Sequence, residues 1–490
     1  MLIKVKNGLL RGEEREGIAA FKGIPYAKPP IGELRFKAPQ PAKSWYGVRD
    51  ATEFGAASVQ PQMPAGGFKA IEEPISEDCL YLNVWCPQYA IREGQSLPVM
   101  VVIHGGGFQA FSGAYDILQG WELAKKDIVV VTINYRLGAM GFLAHPELSA
   151  EDPHHVSGNY AILDQIAALR WVRDNIAAFG GDPEKVTVSG ESAGAFSVSV
   201  LCMSPLARGL FCRATAQSGG FFDKRTVMYQ TVTLKEAEKF GKELFPGKSL
   251  AELRQMPAQE LLALTASSAM QRMIPVRDGY IFPEDPYEVY KEKNFSDVPL
   301  LIGSNCDDGV QFTSCSGEAD ELTAAAAGLT GPDRIQEFCR IYPVGNSEET
   351  VRSQIQFTSD SGFGHNMYVW AHLQEKYGES QVYLYYYCHV PPETDLGAYH
   401  SSELPYLFRN LKYRQKAWTE KDYELQDIYS EYLLNFVKYG DPNGKHVPEW
   451  KPFSTDTEQI MVLDDAPHMA ENPTLAAMRF WDAVFEENGR

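Results

Sequence analysis

The sequence predicts an α/β fold, with a central, mostly parallel, twisted sheet flanked by helices, and three observations carry that expectation. Short apolar runs recur along the chain with helical patterns between them, the alternation that builds parallel sheets with helices on both faces. Two glycine motifs, His104-Gly-Gly-Gly-Phe108 and Gly190-Glu-Ser-Ala-Gly194, each follow directly on an apolar run, where a chain leaves the end of a strand. A composition of 44% hydrophobic and 22% charged residues lets the 490 residues bury a large core.

In chain order, the strand-like runs are Leu80 to Trp85, Val99 to Ile103, Ile128 to Ile133, Val186 to Val188, Arg213 to Gln217, Pro299 to Ile302 and Val382 to Cys388. Tyr160 to Phe179 carries apolar residues at helical spacing and stops at Gly180-Gly181. The stretch from about 318 to 376 is mostly helical in pattern and is expected as an insertion or cap over the sheet. Neither a repeat nor a low-complexity tract or linker interrupts the chain, so residues 1–490 read as one continuous unit.

The formal net charge of −19 and a pI near 5.1 argue against nucleic acid or an anionic membrane as partner, because both reward clusters of Lys and Arg. No run reaches the roughly 18 to 20 apolar residues that a bilayer span requires. Met1 to Gly8 lacks the long apolar stretch of a signal peptide, which makes the cytoplasm the expected location. The eight cysteines, at 79, 86, 202, 212, 306, 315, 339 and 388, form no CxxC pair and no zinc-like spacing, so reduced thiols and no metal are expected.

Reactive chemistry concentrates at Ser192. Val186 to Val188 read as the end of a buried strand, and Gly190 and Gly194 lack the Cβ atoms that would collide if the chain reversed there into the helix-compatible Ala193 to Leu201. Such a turn pushes Ser192 Oγ out above the sheet, where a hydroxyl can become a nucleophile. A Gly-x-Ser-x-Gly pattern by itself recurs by chance, and the second motif gives it weight. Three successive glycines behind Leu97 to Ile103 let backbone N–H groups converge on one point, as a developing oxyanion requires; those of Gly106, Gly107 and Ala193 form the expected hole.

A serine hydroxyl needs an imidazole to take its proton and a carboxylate to hold that ring. Downstream of Ser192 stand His365, His372, His389, His400, His446 and His468. His372 falls in a helical pattern, His446 lies in a polar turn, and no strand precedes His365 or His468 to place them. His389, directly behind Val382 to Cys388, and His400, on the loop beyond, are near-equal candidates. For the acid, Val298 to Ile302 leads into Gly303-Ser-Asn-Cys-Asp-Asp-Gly309, which sets both Asp307 and Asp308 at a strand's end; Asp-Asp-Gly is also ordinary turn chemistry.

Longer motifs complete the picture. Phe21-Lys-Gly-Ile-Pro-Tyr-Ala-Lys-Pro-Pro30, Glu77-Asp-Cys-Leu-Tyr-Leu-Asn-Val-Trp85, Asn134-Tyr-Arg-Leu-Gly138, the serine segment, Gln217-Ser-Gly219 and Gly440-Asp-Pro-Asn-Gly444 occur in one order over nearly the whole chain. With them the sequence resembles the type B carboxylesterases, the carboxylesterase and cholinesterase branch of the α/β-hydrolases. The resemblance implies an α/β-hydrolase fold and a serine esterase that works through an acyl-enzyme with no metal or organic cofactor. Ala398-Tyr-His-Ser-Ser-Glu-Leu-Pro-Tyr-Leu-Phe408 is similar to the family's histidine loop, which implies His400 as base, and the acid falls on Asp308, where the family usually has Glu. Glu191 and Ser218 match positions that buttress the triad, and ion pairs of Arg35 with Glu77 and Arg136 with Asp164 are implied as structural.

The departures bear on substrate. No thiol stands upstream of Cys79 to match the disulfide of the family's secreted members, which implies a bacterial-type intracellular esterase. The loop from Ser58 to Ser76 lacks the tryptophan with which cholinesterases hold a quaternary ammonium, and it is not an apolar lipase lid. Choline esters and fat droplets are therefore not the expected substrates. Small carboxylic esters are, and Phe108, Phe111, Phe221, Phe222, Phe312 and Phe363 around the expected rim point toward aromatic ones. The same triad would also serve amides, thioesters or carbamates. Some members of the family are non-catalytic adhesion or scaffold proteins, usually without the serine or histidine that this chain retains.

Overall fold

The computed structural model describes residues 1–61, 72–223, 226–229, 231–265, 272–283, 285–414 and 416–487. The middle of the 58–76 loop, residues 62–71, lies outside the described residues. The strands are β1 (Leu2–Val5), β2 (Gly8–Arg11), β3 (Glu13–Arg15), β4 (Ile18–Pro25), β5 (Val48–Asp50), β6 (Tyr81–Pro87), β7 (Leu97–Ile103), β8 (Val129–Ile133), β9 (Gly181–Glu191), β10 (Arg213–Gln217), β11 (Leu300–Asn305), β12 (Val382–Tyr387), β13 (Gln459–Leu463) and β14 (His468–Glu471). Three of them, β1, β2 and β5, make a small separate sheet; the other eleven pair in the order β14-β13-β12-β11-β10-β9-β7-β8-β6-β4-β3.

From β13 to β8 every pairing is parallel, and the outer pairings, β14 with β13 and β8 through β6 and β4 to β3, are antiparallel. All seven expected strands are present. Those not expected include the edge strands β3 and β14, whose charged sequences, Glu-Glu-Arg and His-Met-Ala-Glu, carry no apolar period because an edge faces water.

Two cores cover the two faces of the sheet. Along β7, Val99, Val101 and Ile103 point into one, with residues of the helices Tyr160–Asn175 and Ala193–Met203; Met100 and Val102 point into the other, with the helix Glu420–Tyr439. Burial on both faces is why β7 and β8 read as continuous apolar runs. The expected helix from Tyr160 is regular to Asn175, tightens to a 3₁₀ turn over Ile176–Phe179, and ends at Gly180 with φ of 75°.

Residues 319–377 form the helices Ala319–Thr330, Ile335–Ile341, Ser347–Ser359 and His365–Tyr377, with a π-helical turn at Asp360–Gly364 joining the last two. Phe338, Tyr342 and Phe357 of this region pack with Trp481 and Phe485 of the helix Leu475–Glu487. Both implied ion pairs are present. Arg35 Nε donates to Glu77 Oε2 at 2.7 Å, while Arg136 donates through Nε and Nη2 to both oxygens of the fully buried Asp164 at 2.7 Å each. Among the described residues, no helix is long and apolar enough to cross a membrane.

Candidate active site

The serine turn is built by close packing of backbone. β9 runs on to Glu191, beyond the expected end at Val188, and Ser192 adopts φ 56° and ψ −126° before the helix Ala193–Met203 begins. A Cβ on Gly190 would lie 2.3 Å from the carbonyl carbon of Gly194, and one on Gly194 would lie 2.1 Å from Ile103 O. Only glycine fits at either position. Ser192 N–H donates to Gln217 O at 2.8 Å, which ties the turn to the end of the neighbouring strand β10.

The glycine triplet lies directly against this turn. A Cβ on Gly105 would sit 3.0 Å from Ser192 Cβ and 2.7 Å from Glu191 Oε2. Gly106 and Gly107 take φ of 98° and 62°, and a Cβ on Gly106 would lie 2.2 Å from Ala110 O. His104 anchors the loop: its ring stacks on Tyr135 at 4.4 Å, and Tyr135 OH donates to His104 O at 2.8 Å. Left-handed, non-glycine backbone recurs around the site, at Phe108, Phe111, Ser192, Ser218 and Ser401. Such conformations cost about 1–3 kcal/mol each and persist only where the surrounding structure enforces them.

Asp308 and His400 come together. His400 Nδ1 lies 2.7 Å from Asp308 Oδ1, and the other oxygen, Oδ2, accepts from Ser218 Oγ at 2.8 Å and from Asn305 N at 2.7 Å. Asp308 is fully buried, and its shorter side chain reaches the ring. Asp307 points elsewhere: its Oδ2 accepts from Ala398 N at 2.8 Å, clamping the acid turn to the histidine loop. His389 is engaged away from the serine, with Nδ1 2.6 Å from Asp465 Oδ1 and Nε2 3.0 Å from Tyr406 OH.

Beyond Asp308, His400 meets Glu191. Its Nε2 lies 3.1 Å from Glu191 Oε1 but makes no aligned hydrogen bond, with Glu191 or with Ser192. Ser401 Oγ donates to the same Glu191 oxygen. Burial works to lower the His400 pKa, but the charge of Glu191 and the hydrogen bond and charge of Asp308 outweigh it and raise it to about 9. Burial raises Glu191, and it lifts Glu403 to about 8, reinforced by the charge of Glu191 and opposed by the hydrogen bond from Asn305. Asn305 Nδ2 donates to Glu403 Oε2 at 2.6 Å and to Tyr399 O at 2.9 Å. Ser401, Glu403 and Asn305 had no signal of their own in the sequence beyond adjacency to His400 and the Asp-Asp turn.

Aromatic rings flank the centre on two sides. Phe108 stacks on Phe221 at 6.2 Å, and Phe196 meets both Phe221 and Tyr229, at 4.7 and 4.9 Å. This cluster adjoins the glycine loop, since a Cβ on Gly107 would be 3.7 Å from Tyr229 OH. On the other side Phe312 and Phe363 pack on the His400 ring at 5.0 and 4.8 Å. Phe312 is 44% exposed and Phe111 stacks on Tyr115 at 5.0 Å. Phe222, expected near the rim, is instead core, packed on Trp370 and Tyr290.

A mostly parallel sheet with a glycine-framed serine turn at a strand end, and an acid and a histidine on later loops, defines an α/β-hydrolase. Residues 1–481 match the carboxylesterase family. The chain is 33% identical to para-nitrobenzyl esterase of Bacillus subtilis over 96% of each protein. It is 37% identical to fumonisin B1 esterase of Sphingopyxis macrogoltabida over 83% of this chain and 74% of that one. The solved carboxylesterase of Geobacillus stearothermophilus superposes with a TM-score of 0.84 at 35% identity, covering 98% of this chain and 99% of that one. The chain belongs to the carboxylesterase family and is an ester-hydrolysing enzyme.

Proposed function

We propose that Ser192 is the nucleophile, His400 the general base and then acid, and Asp308 the residue that orients the ring, with the N–H groups of Gly106, Gly107 and Ala193 as the oxyanion hole. The observation that carries this reading is the 2.7 Å contact of His400 Nδ1 with Asp308, which commits Nδ1 to the carboxylate and leaves Nε2 to exchange a proton. Ser192 Oγ attacks the ester carbonyl carbon as His400 Nε2 takes its proton. The tetrahedral oxyanion collapses, the C–O bond to the alcohol breaks, and the imidazolium protonates the departing oxygen. Water then attacks the acyl-enzyme by the same route, releasing the acid and restoring Ser192. Glu191 and Ser218 buttress this arrangement, Glu191 by stabilising the imidazolium that forms in each step and Ser218 by holding Asp308 Oδ2.

The Phe108, Phe196, Phe221 and Tyr229 cluster beside the glycine loop, and Phe312 with Phe363 on the histidine, support aromatic esters as substrates. Helices 319–377, stacked beside the sheet, support their reading as a side region or cap of one catalytic unit, and the eight free cysteines support a reducing compartment such as the cytoplasm. Organophosphate labelling and a panel of p-nitrophenyl and hydroxycinnamate esters, with matched amides, test the reading. Wild type should carry the label on Ser192, and Ser192→Ala should fold normally with ester turnover lost. Turnover retained by the purified variant would overturn the assignment, and a wild type that refuses the label would favour a non-catalytic role.

A further inference from the structure

Cys306 and Cys388 stand at the C-terminal ends of the neighbouring parallel strands β11 and β12, one residue beyond each. The register pairs Asn305 with Tyr387, and Cys306 N–H donating to Tyr387 O at 2.8 Å carries the pairing onward, so the two cysteines are side by side. Their side chains leave the same face. The Cys388 thiol donates to Tyr386 O at 3.9 Å, and the interaction between the neighbouring thiols favours the thiolate on Cys306, whose pKa is lowered, while that of Cys388 is raised. Both are half-buried, whereas Cys79, Cys86 and Cys202 are fully buried, where desolvation pushes their thiols up.

We propose that Cys306 and Cys388 form a modification site, a dithiol that hydrogen peroxide oxidises to an intrachain disulfide, displacing the acid turn and lowering esterase activity. The Cys306 thiolate sulfur attacks a peroxide oxygen; an S–O bond forms, the O–O bond breaks, and hydroxide leaves to be protonated to water. The Cys388 sulfur then attacks Cys306, forming the S–S bond and expelling the second oxygen as hydroxide, which takes the Cys388 proton. Two thiols and one peroxide become one disulfide and two waters, and a dithiol reductant reverses the change.

Closure would pull on the acid turn. A disulfide favours a Cα–Cα separation of about 5.5–6 Å, wider than the about 4.8 Å between neighbouring strands, so closure must spread or twist the strand ends. The Cys388 side is stiff, because the next residue, His389, is pinned by Asp465 at 2.6 Å and Tyr406 at 3.0 Å. Movement at Cys306 passes through Asp307, tied to Ala398 by its N–H and its carboxylate, to the histidine loop and to Asp308 two residues on, whose contact with His400 spans only 2.7 Å. Misplacement of about 1 Å in such a site costs up to ~100-fold in rate. This coupling rests on Asp308 as the acid; the disulfide itself does not.

The test uses the whole reduced chain, treated with hydrogen peroxide, assayed on an aryl ester and mapped by peptide mass spectrometry. A linked Cys306–Cys388 peptide should appear as kcat/KM falls about tenfold or more, with recovery on adding dithiothreitol. Cys306→Ser and Cys388→Ser should each keep the reduced-state activity and lose less than about twofold to peroxide; if one does not fold, the other carries the comparison. Recovery of both thiols unmodified, a linked peptide with unchanged activity, or equal inactivation of both variants would overturn the proposal. Asp308→Asn assayed fully reduced reads the assignment of the acid separately.

Discussion

Glu191 Oε1 lies 3.1 Å from His400 Nε2, while Asp308 Oδ1 holds Nδ1 of the same ring at 2.7 Å. The imidazole is thus faced by a carboxylate at each nitrogen. Asp308 holds one nitrogen; Glu191 lies beside the other, the one that exchanges a proton in the proposed mechanism, and favours the protonated ring.

That arrangement sets the pH profile. With its pKa raised above 6.5, His400 can act as the proposed base only once its proton has left, so the acid limb of kcat/KM should lie above pH 6.5 in the wild type. Glu191→Gln removes the opposing charge and should move the limb to lower pH by about one unit, the low end of what a neighbouring opposite charge supplies. A limb that stays in place in a pH–rate series would refute the electrostatic role of Glu191.

The adjacent aspartates should separate cleanly. Asp308→Asn replaces a charged acceptor with an amide whose NH2 can donate to Nδ1 and hold His400 in the wrong tautomer, and kcat should fall about 10⁴-fold. Asp307→Asn leaves that contact in place and loosens only the clamp on Ala398, so kcat should change by less than about tenfold. Steady-state kinetics on one aryl ester compares them, and the opposite ranking would transfer the role to Asp307.

His365 makes a prediction for stability. It is fully buried between Asp223 Oδ2 at 2.7 Å and Asp482 Oδ1 at 3.2 Å. Burial works to lower its pKa, but the charge and hydrogen bond of Asp223, and those of Asp482, raise it from 6.5 to about 9. A raised histidine pKa means that the folded state binds the proton more tightly. Its contribution is therefore fully present below pH 6.5 and is lost as pH rises through about 9. His365→Gln leaves Asp223 short of its partner and should cost about 3–5 kcal/mol in urea denaturation at pH 6. The gap to wild type should narrow by pH 9.5, and a gap independent of pH would show that His365 is held neutral.

Local geometry was the legible part of the site. The Ser192 turn shows in the sequence because strand end, glycine, serine and glycine lie within a few residues, and the contact of Gly194 with the Ile103 carbonyl demands glycine whatever the distant loops do. The His365 pair was not legible, since a histidine within a helix says nothing of an aspartate 142 residues earlier. The edge strands β3 and β14 were missed because water, not core, sets their residue choice.

The sequence by itself determined the sheet, the serine turn, the glycine loop and, through its motifs, the family. The motifs named Asp308 and Glu191 as partners of His400; tertiary structure alone decided at which ring nitrogen each stands and how the proton is held, because those contacts join loops more than ninety residues apart, as Asp308 and His400 are. Period and turn chemistry are written within a few residues. An electric field at an imidazole is the sum over whatever the folded chain brings near it, and no local pattern contains that sum.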